Sequence, residues 1–250
     1  MRFKDKVAFI TGGGRGIGET YARALAAEGA AVVLAEIDLP AAQGVAASIA
    51  ESGAPTLAVT CDVADEGSVD AAVARAVEHF GGVDILINNA AKHLMEYAGK
   101  PTELPRAKWR LMLDVNVIGI VNCSAACRRS MRERGGGVII NQSSIAGFDP
   151  TTPYGISKLA VRGLVVALAK ELAPDGIRVY GIAPGPVDSP SAMADLPPAL
   201  LDEFINRHQL VKRQGLMTDL VGAMLFFCSP QASFITGETL MIGGGYPLRV

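Results

Sequence analysis

Apolar residues along this chain follow two alternating rhythms. Short runs of β-branched and aliphatic residues recur at Val7–Thr11, Ala31–Ala35, Thr56–Thr60, Ile85–Asn88, Val138–Gln142, Arg178–Ile182 and Leu240–Ile242. Each has strand length and little polar interruption, as in strands buried on both faces. Between them, Ile17–Glu28, Ala41–Glu51, Ser68–Phe80, Ala107–Arg134, Pro153–Ala173 and Asp219–Cys228 place apolar residues at the spacing of a helix with one buried stripe. Strand and helix alternate, so the strands are expected to run parallel, joined by right-handed crossovers, with helices on both faces. The predicted fold class is α/β: a single doubly wound domain, residues 1–250, around a seven-stranded parallel sheet. One connection breaks the rhythm. From Ala183 to Arg213 the chain carries Pro184, Pro186, Pro190, Pro197 and Pro198, with a short helix expected near Leu200–His208. A connection of this length is expected to act as a substrate lid over about residues 186–213.

Composition narrows the classes of partner. Half of the 250 residues are hydrophobic and 19% are charged, which supports a large buried core. The formal charge of -2 and the lack of a basic stripe argue against nucleic acid and anionic membrane as partners. No stretch reaches about 18 apolar residues without a charge, so a cytoplasmic location is expected. Cys61, Cys123, Cys127 and Cys228 lack metal-site spacing and fit a reducing compartment, and no metal is expected.

The first strand runs into Thr11-Gly12-Gly13-Gly14-Arg15-Gly16-Ile17-Gly18, and a helix follows at once. A glycine-rich string by itself is weak, being compatible with an ordinary strand-to-helix turn. Here a strand precedes it, a helix follows, and a second strand lies close behind, which is the context of a dinucleotide cradle. Gly12 permits the tight turn, Gly16 leaves room for a pyrophosphate, and Gly18 lets helix and strand approach. The helix N-terminus, at Gly16 and Ile17, offers N–H groups to phosphate. Glu36 ends the second strand, where a carboxylate can accept hydrogen bonds from the adenosine ribose and repel a 2′-phosphate. NAD is therefore expected, although Arg15 could bind that phosphate and keeps NADP as the alternative.

Two later segments carry the candidate chemistry: Asn141-Gln142-Ser143-Ser144-Ile145-Ala146-Gly147 and Tyr154-Gly155-Ile156-Ser157-Lys158. Tyr154 and Lys158 are four apart on an expected helix and share a face. A phenol titrates near ~10, and an ammonium ~5 Å away at an effective dielectric of ~20 would lower that by about two units. Tyr154 would then exchange a proton with an alcohol or carbonyl oxygen near neutral pH, and Ser144 would hydrogen-bond the same oxygen, with Ser143 as rival.

Taken with the glycine string, these segments resemble the short-chain dehydrogenase/reductase family, and the resemblance covers nearly the whole chain. Asn88-Asn89-Ala90-Ala91, Asp114-Val115-Asn116-Val117, Pro184-Gly185 and Ile235-Thr236-Gly237 match further motifs of that family in order. The resemblance implies that Asn116, Ser144, Tyr154 and Lys158 are catalytic. Lys158 would also hold the nicotinamide ribose, and Asn116 would support a water linking Lys158 to solvent. It further implies that Asp62 and Val63 meet the adenine edge and that Asn89, Ala90, Pro184, Gly185, Val187 and Ser189 line the cofactor, Ser189 at the carboxamide.

The chain departs from the family pattern in places. Ser144 and Tyr154 are ten residues apart, about three fewer than usual, so the loop over 148–153 is short. Ala91 replaces a usual glycine, and Met241-Ile242-Gly243-Gly244 lacks a usual acidic residue. His93 is expected on the pocket wall, and His79 and His208 on solvated helices. Met193, Leu196, Leu200, Leu201 and Phe204 of the lid, with Phe148 and Pro150, point to a small apolar alcohol or carbonyl substrate or equally to core packing. Three functions follow: an NAD-dependent dehydrogenase of secondary alcohols, an NADPH-dependent 3-oxoacyl thioester reductase, or a catalytically silent dinucleotide-binding regulator. The long helices 107–134 and 153–173 are expected to pair subunits in a homotetramer or homodimer.

Overall fold

The computed structural model describes residues 1–190, 193 and 196–248. Seven strands form one parallel sheet in the order β3-β2-β1-β4-β5-β6-β7. They are β1 Val7–Thr11, β2 Ala31–Glu36, β3 Thr56–Thr60, β4 Ile85–Asn88, β5 Gly137–Gln142, β6 Ile177–Pro184 and β7 Thr239–Ile242. The central strands are buried along their whole length, which is why their sequences read as apolar runs without alternation. The order reverses between β1 and β4, paired through Ile10 and Ile87, and the crevice at their carboxyl ends is where such sheets bind ligands.

Helices α1 (Gly16–Ala27), α2 (Leu39–Ala50) and, near the chain end, α8 (Val221–Cys228) cover one face of the sheet. Helix α3 (Glu66–Phe80), α5 (Gly119–Glu133) and α6 (Pro153–Leu172) cover the other. Local chemistry sets their starts: the side chains of Asp38, Asp65 and Thr152 accept from the backbone N–H of Ala41, Ser68 and Gly155.

The helix expected over 107–134 is present as one run, Arg106–Glu133, with a π turn inside it. It comprises α4 (Arg106–Leu113), a π turn over Asp114–Ile118 that contains Asn116, and α5. The run Arg106–Glu133 is long and apolar enough to cross a bilayer. Its Ile120, Cys123, Cys127 and Met131 instead pack into the core. The helix expected over Asp219–Cys228 likewise starts as a 3-10 turn, Met217–Leu220.

Within the expected lid, residues 191, 192, 194 and 195 lie outside the described residues. The remainder holds the expected short helix as one run, α7 (Pro198–Glu203) continuing into a π turn, Phe204–His208. Its far end is pinned to the chain after β7, where the Gly244 carbonyl accepts from Leu210 and Val211 at 2.8 and 3.0 Å.

Candidate active site

A cavity of about 900 Å³ opens at the carboxyl ends of the strands. Of the residues expected to be catalytic or to bind the cofactor, all but Gly18 and Asn116 line it.

The amino-terminal half of the cavity is shaped by backbone. Gly12 and Gly16 have φ of +63 and +60, a region that side chains disfavour. A Cβ on Gly18 would lie 2.1 Å from the Gly12 carbonyl oxygen, and one on Gly12 would lie 3.0 Å from Ala90 Cα. Gly18 thus sits behind the cradle and lets it form, while a Cβ on Gly16 would meet only Pro190, at 3.8 Å. Arg15 gives α1 no side-chain cap, so its first-turn N–H groups are left for an anion. Asn89, on the cavity wall, also holds the turn: its Nδ2 donates to the carbonyls of Thr11 and Gly12 at 3.1 and 3.0 Å.

Glu36 is 7% exposed at the cavity wall. Its carboxylate accepts from the N–H groups of Gly14, Ile37 and Asp38 at 3.2, 3.0 and 3.4 Å, so it is locked in place. Asp62 is fixed similarly, accepting from the Ala64 N–H at 3.0 Å beside the buried Val63. A positive-φ glycine turn, an uncapped helix start and a fixed carboxylate at the end of β2 fit a nicotinamide dinucleotide. Among the described residues there is no group of three or more side chains suited to a metal.

The carboxyl-terminal half is shaped by side chains. Tyr154 and Lys158 leave α6 one turn apart, with the Lys158 Nζ 5.6 Å from the phenol ring centroid. Nζ donates to the Gln142 carbonyl at 2.8 Å. Ser144 is hydrogen-bonded to Tyr154, and its Oγ also accepts from the Ala146 N–H at 3.2 Å. The rival Ser143 is turned away, its Oγ donating to the Lys158 carbonyl at 3.0 Å.

The expected acidification of the phenol is not found. Burial pushes Tyr154 up to about 12, against the opposing pull of its Ser144 hydrogen bond. Burial also brings Lys158 down to about 8. Partial burial of Tyr154 and full burial of Lys158 disfavour the charged form of each, and the ammonium donates a hydrogen bond to a carbonyl.

The Asn116 side chain is engaged on both sides. Its Oδ1 accepts from the Lys92 N–H at 2.7 Å, and its Nδ2 donates to Ser157 Oγ at 3.1 Å. The side chain therefore ties the loop after β4 to α6, and the π turn is what presents it there.

His93 lies on the wall as expected, with Leu94 and Met95. Leu196, Leu200 and Phe204 line the cavity, whereas Phe148 and Pro150 do not. Tyr246 and Pro247 complete the wall, and nothing in their sequence context singled them out. His208 is not simply solvated: its ring is 4.9 Å from that of Tyr246 and 5.9 Å from that of Phe204.

The chain matches the profile of a family described as Enoyl-(Acyl carrier protein) reductase over residues 12–247. It is 41% identical over 251 residues to an uncharacterized oxidoreductase of Mycobacterium tuberculosis (strain ATCC 25618 / H37Rv), covering 99% of each chain. It is 35% identical to the 7alpha-hydroxysteroid dehydrogenase of Escherichia coli (strain K12), over 98% of this chain and 95% of that one. A solved structure of 7 alpha-hydroxysteroid dehydrogenase complexed with NADH and 7-oxo glycochenodeoxycholic acid superposes with a TM-score of 0.91 at 34% identity, covering 98% of this chain and 95% of that one.

Proposed function

The chain belongs to the short-chain dehydrogenase/reductase family, and from that premise we propose an NAD-dependent oxidoreductase that interconverts a secondary alcohol and a ketone on a small apolar substrate. The observation that carries this reading is the meeting, in one cavity, of the locked Glu36 carboxylate and the hydrogen-bonded Ser144–Tyr154 pair beside Lys158. A bound nicotinamide dinucleotide supplies the hydride donor or acceptor. Gly12, Arg15, Gly16 and Ile17 would hold its phosphates, Glu36 the adenosine ribose, and Asp62 and Val63 the adenine edge. Ala90, Pro184, Gly185, Val187 and Ser189 would line its nicotinamide end.

The chain's own residues handle the proton. Tyr154 Oη gives its proton to a carbonyl oxygen or takes one from a hydroxyl, while the Ser144 hydroxyl holds the same oxygen and steadies the charge developing there. A phenol whose pKa sits at about 12 is fully protonated at neutral pH, which suits donation to a ketone. Abstraction from an alcohol requires a more alkaline medium or added positive charge beside the ring. Lys158, when protonated, supplies such a charge, and by family resemblance it also holds the nicotinamide ribose. Asn116 keeps the loop after β4 and α6 in register.

Leu94, Met95, Leu196, Leu200, Phe204 and Tyr246 form an apolar wall suited to an alicyclic or aromatic alcohol. The hydroxysteroid dehydrogenase among the relatives fits such a wall. Arg15, exposed at the cradle, favours a second reading: an NADPH-dependent 3-oxoacyl thioester reductase. The intact Ser144–Tyr154–Lys158 set argues against a silent binding protein. The exposed Leu111, Ile118 and Val121 on the α4–α5 run, with Leu159 and Val166 on α6, support pairing of subunits. Four buried free thiols support a reducing, cytoplasmic setting.

A screen of alicyclic, steroidal and aromatic alcohols with NAD, read by absorbance of the reduced cofactor, is expected to find turnover. A lower KM for NADP than for NAD would overturn the cofactor assignment. Absence of turnover with both cofactors, and with 3-oxoacyl thioesters, would overturn the enzyme.

A further inference from the structure

Tyr154, Lys158 and Arg162 leave α6 at four-residue steps and so share one face of the helix. The first two line the cavity. The third meets the short loop that joins Ser144 to Tyr154. Arg162 Nη1 donates to the Gly147 carbonyl at 2.9 Å, and the guanidinium carbon lies 3.6 Å from the centroid of the Phe148 ring. Gly147 is seated so closely on α6 that a Cβ there would come within 2.7 Å of the Lys158 carbonyl. Its own N–H donates to the Ser144 carbonyl at 3.0 Å.

The loop therefore begins and ends in groups that touch the reacting oxygen and is gripped in its middle by one cation. Ala146, Asp149, Thr151 and Thr152 of the same loop form cavity wall. A planar guanidinium stacks on a ring while donating in its own plane, which an ammonium does not do. A loop about three residues shorter than the family usually carries has little slack, so a shift at Gly147 reaches Ser144 directly.

We propose that Arg162 is a positioning residue: through the Gly147 carbonyl and the Phe148 ring it sets the Ser144 hydroxyl and the adjoining wall against Tyr154, and so fixes substrate affinity. This rests on the oxidoreductase reading of Ser144 and Tyr154. The test uses the NADH-bound protein. Arg162→Ala is expected to raise the KM for the carbonyl substrate about tenfold, with a smaller fall in kcat, because small displacements of positioning groups weaken productive binding. NADH affinity, read by cofactor fluorescence, stays unchanged. Arg162→Lys, which keeps charge without stacking, recovers only part of the loss. Phe148→Ala reproduces it, and the double variant is no worse than Arg162→Ala alone.

Hydrogen exchange at the backbone amides of residues 145–149 provides a readout independent of turnover and is expected to quicken in Arg162→Ala. Quickened exchange in a protein that turns over neither alcohols nor ketones would refute the oxidoreductase reading and keep the clamp. Unchanged exchange, or a lower Tm with KM unaltered in both Arg162 variants, would refute the clamp.

Discussion

The two halves of the cavity are built from different materials. At the amino-terminal end, from Gly12 to Ala90, shape comes from the main chain: glycines with positive φ, a helix start without a side-chain cap, and a carboxylate held by three backbone N–H groups. At the carboxyl-terminal end, from Ser144 to Tyr246, shape comes from side chains on a helix, a short loop and a lid. A cradle of backbone presents the same N–H groups whichever small residues flank it, and it suits a ligand whose phosphates do not vary. A wall of side chains can be recut residue by residue without disturbing the strands beneath it. The contrast predicts that affinity for the dinucleotide's phosphates and adenosine is separable from choice of substrate, and perturbations on either side should show it.

The largest expected effect lies on the side-chain half. Tyr154→Phe removes the proton at the reacting oxygen and keeps the ring, so kcat should fall by about 10²–10⁴ while the NADH dissociation constant stays within twofold. Stopped-flow or steady-state absorbance gives the first quantity and fluorescence titration the second. A comparable loss of NADH affinity would erase the division. The wild-type pH profile is the companion measurement. Below about 8, Lys158 is charged and Tyr154 protonated, so ketone reduction should be flat there and decline as the ammonium is lost above that value. Alcohol oxidation, which needs the phenolate, should instead rise with pH.

Next in size is a change to the backbone half. Gly18→Ala places a Cβ 2.1 Å from a main-chain carbonyl that cannot yield as a side chain would. A destabilisation of about 1–3 kcal/mol is expected, with a Tm lower by about 2–4 °C per kcal/mol. NADH affinity should fall with it, since α1 must retreat from the turn. Calorimetry that finds Tm and NADH affinity both intact would remove Gly18 from the cradle.

How much of this was legible beforehand follows the same division. The glycine string, Glu36 and the strands around them could be read from sequence because backbone constraint leaves few residue choices: only glycine fits where a Cβ would strike Gly12 or Ala90. Tyr154, Ser144 and Lys158 were legible through their spacing and order. The pKa of Tyr154 was not, because the expected pull of one ammonium took no account of the burial of both groups. The π turn within the helix over 107–134 was also hidden. A π turn has no apolar rhythm of its own, and Asn116 reveals its purpose only when Lys92 and Ser157 come to meet it. Tyr246 and Arg162 escaped for the same reason: each acts through contacts distant in sequence.

A smaller effect should follow from changing the charge, not the shape, of the cradle. Glu36→Gln keeps one oxygen for the Ile37 and Asp38 amides, gives up the acceptor for the Gly14 N–H, and removes the repulsion toward a 2′-phosphate. At an effective dielectric of ~20, unit charges a few ångströms apart interact by a few kcal/mol before solvent screening, so a shift of about tenfold in the NADP-to-NAD preference is a conservative expectation. Competitive titration of the two reduced cofactors measures it. A preference that does not move would show that Arg15, rather than Glu36, governs the choice.

The smallest expected effect tests whether the glycines of this half are required one by one. Gly44 lies in α2, two residues past the Ala42 that a Cβ on Gly14 would meet at 3.1 Å, yet a Cβ on Gly44 itself would meet nothing within 4 Å. It has ordinary helical backbone and an exposed position, so alanine should restrict the unfolded chain without straining the folded one. Gly44→Ala is therefore expected to stabilise by about 0.5–1 kcal/mol, seen as a small rise in Tm, with NADH affinity unchanged. Opposite signs at Gly18 and Gly44 would locate the demand for glycine in the backbone contacts around Gly12. A loss of stability at Gly44 as well would mean that α2 presses on the cradle through contacts a single added methyl can disturb, and the rigid half would then extend beyond the turn itself.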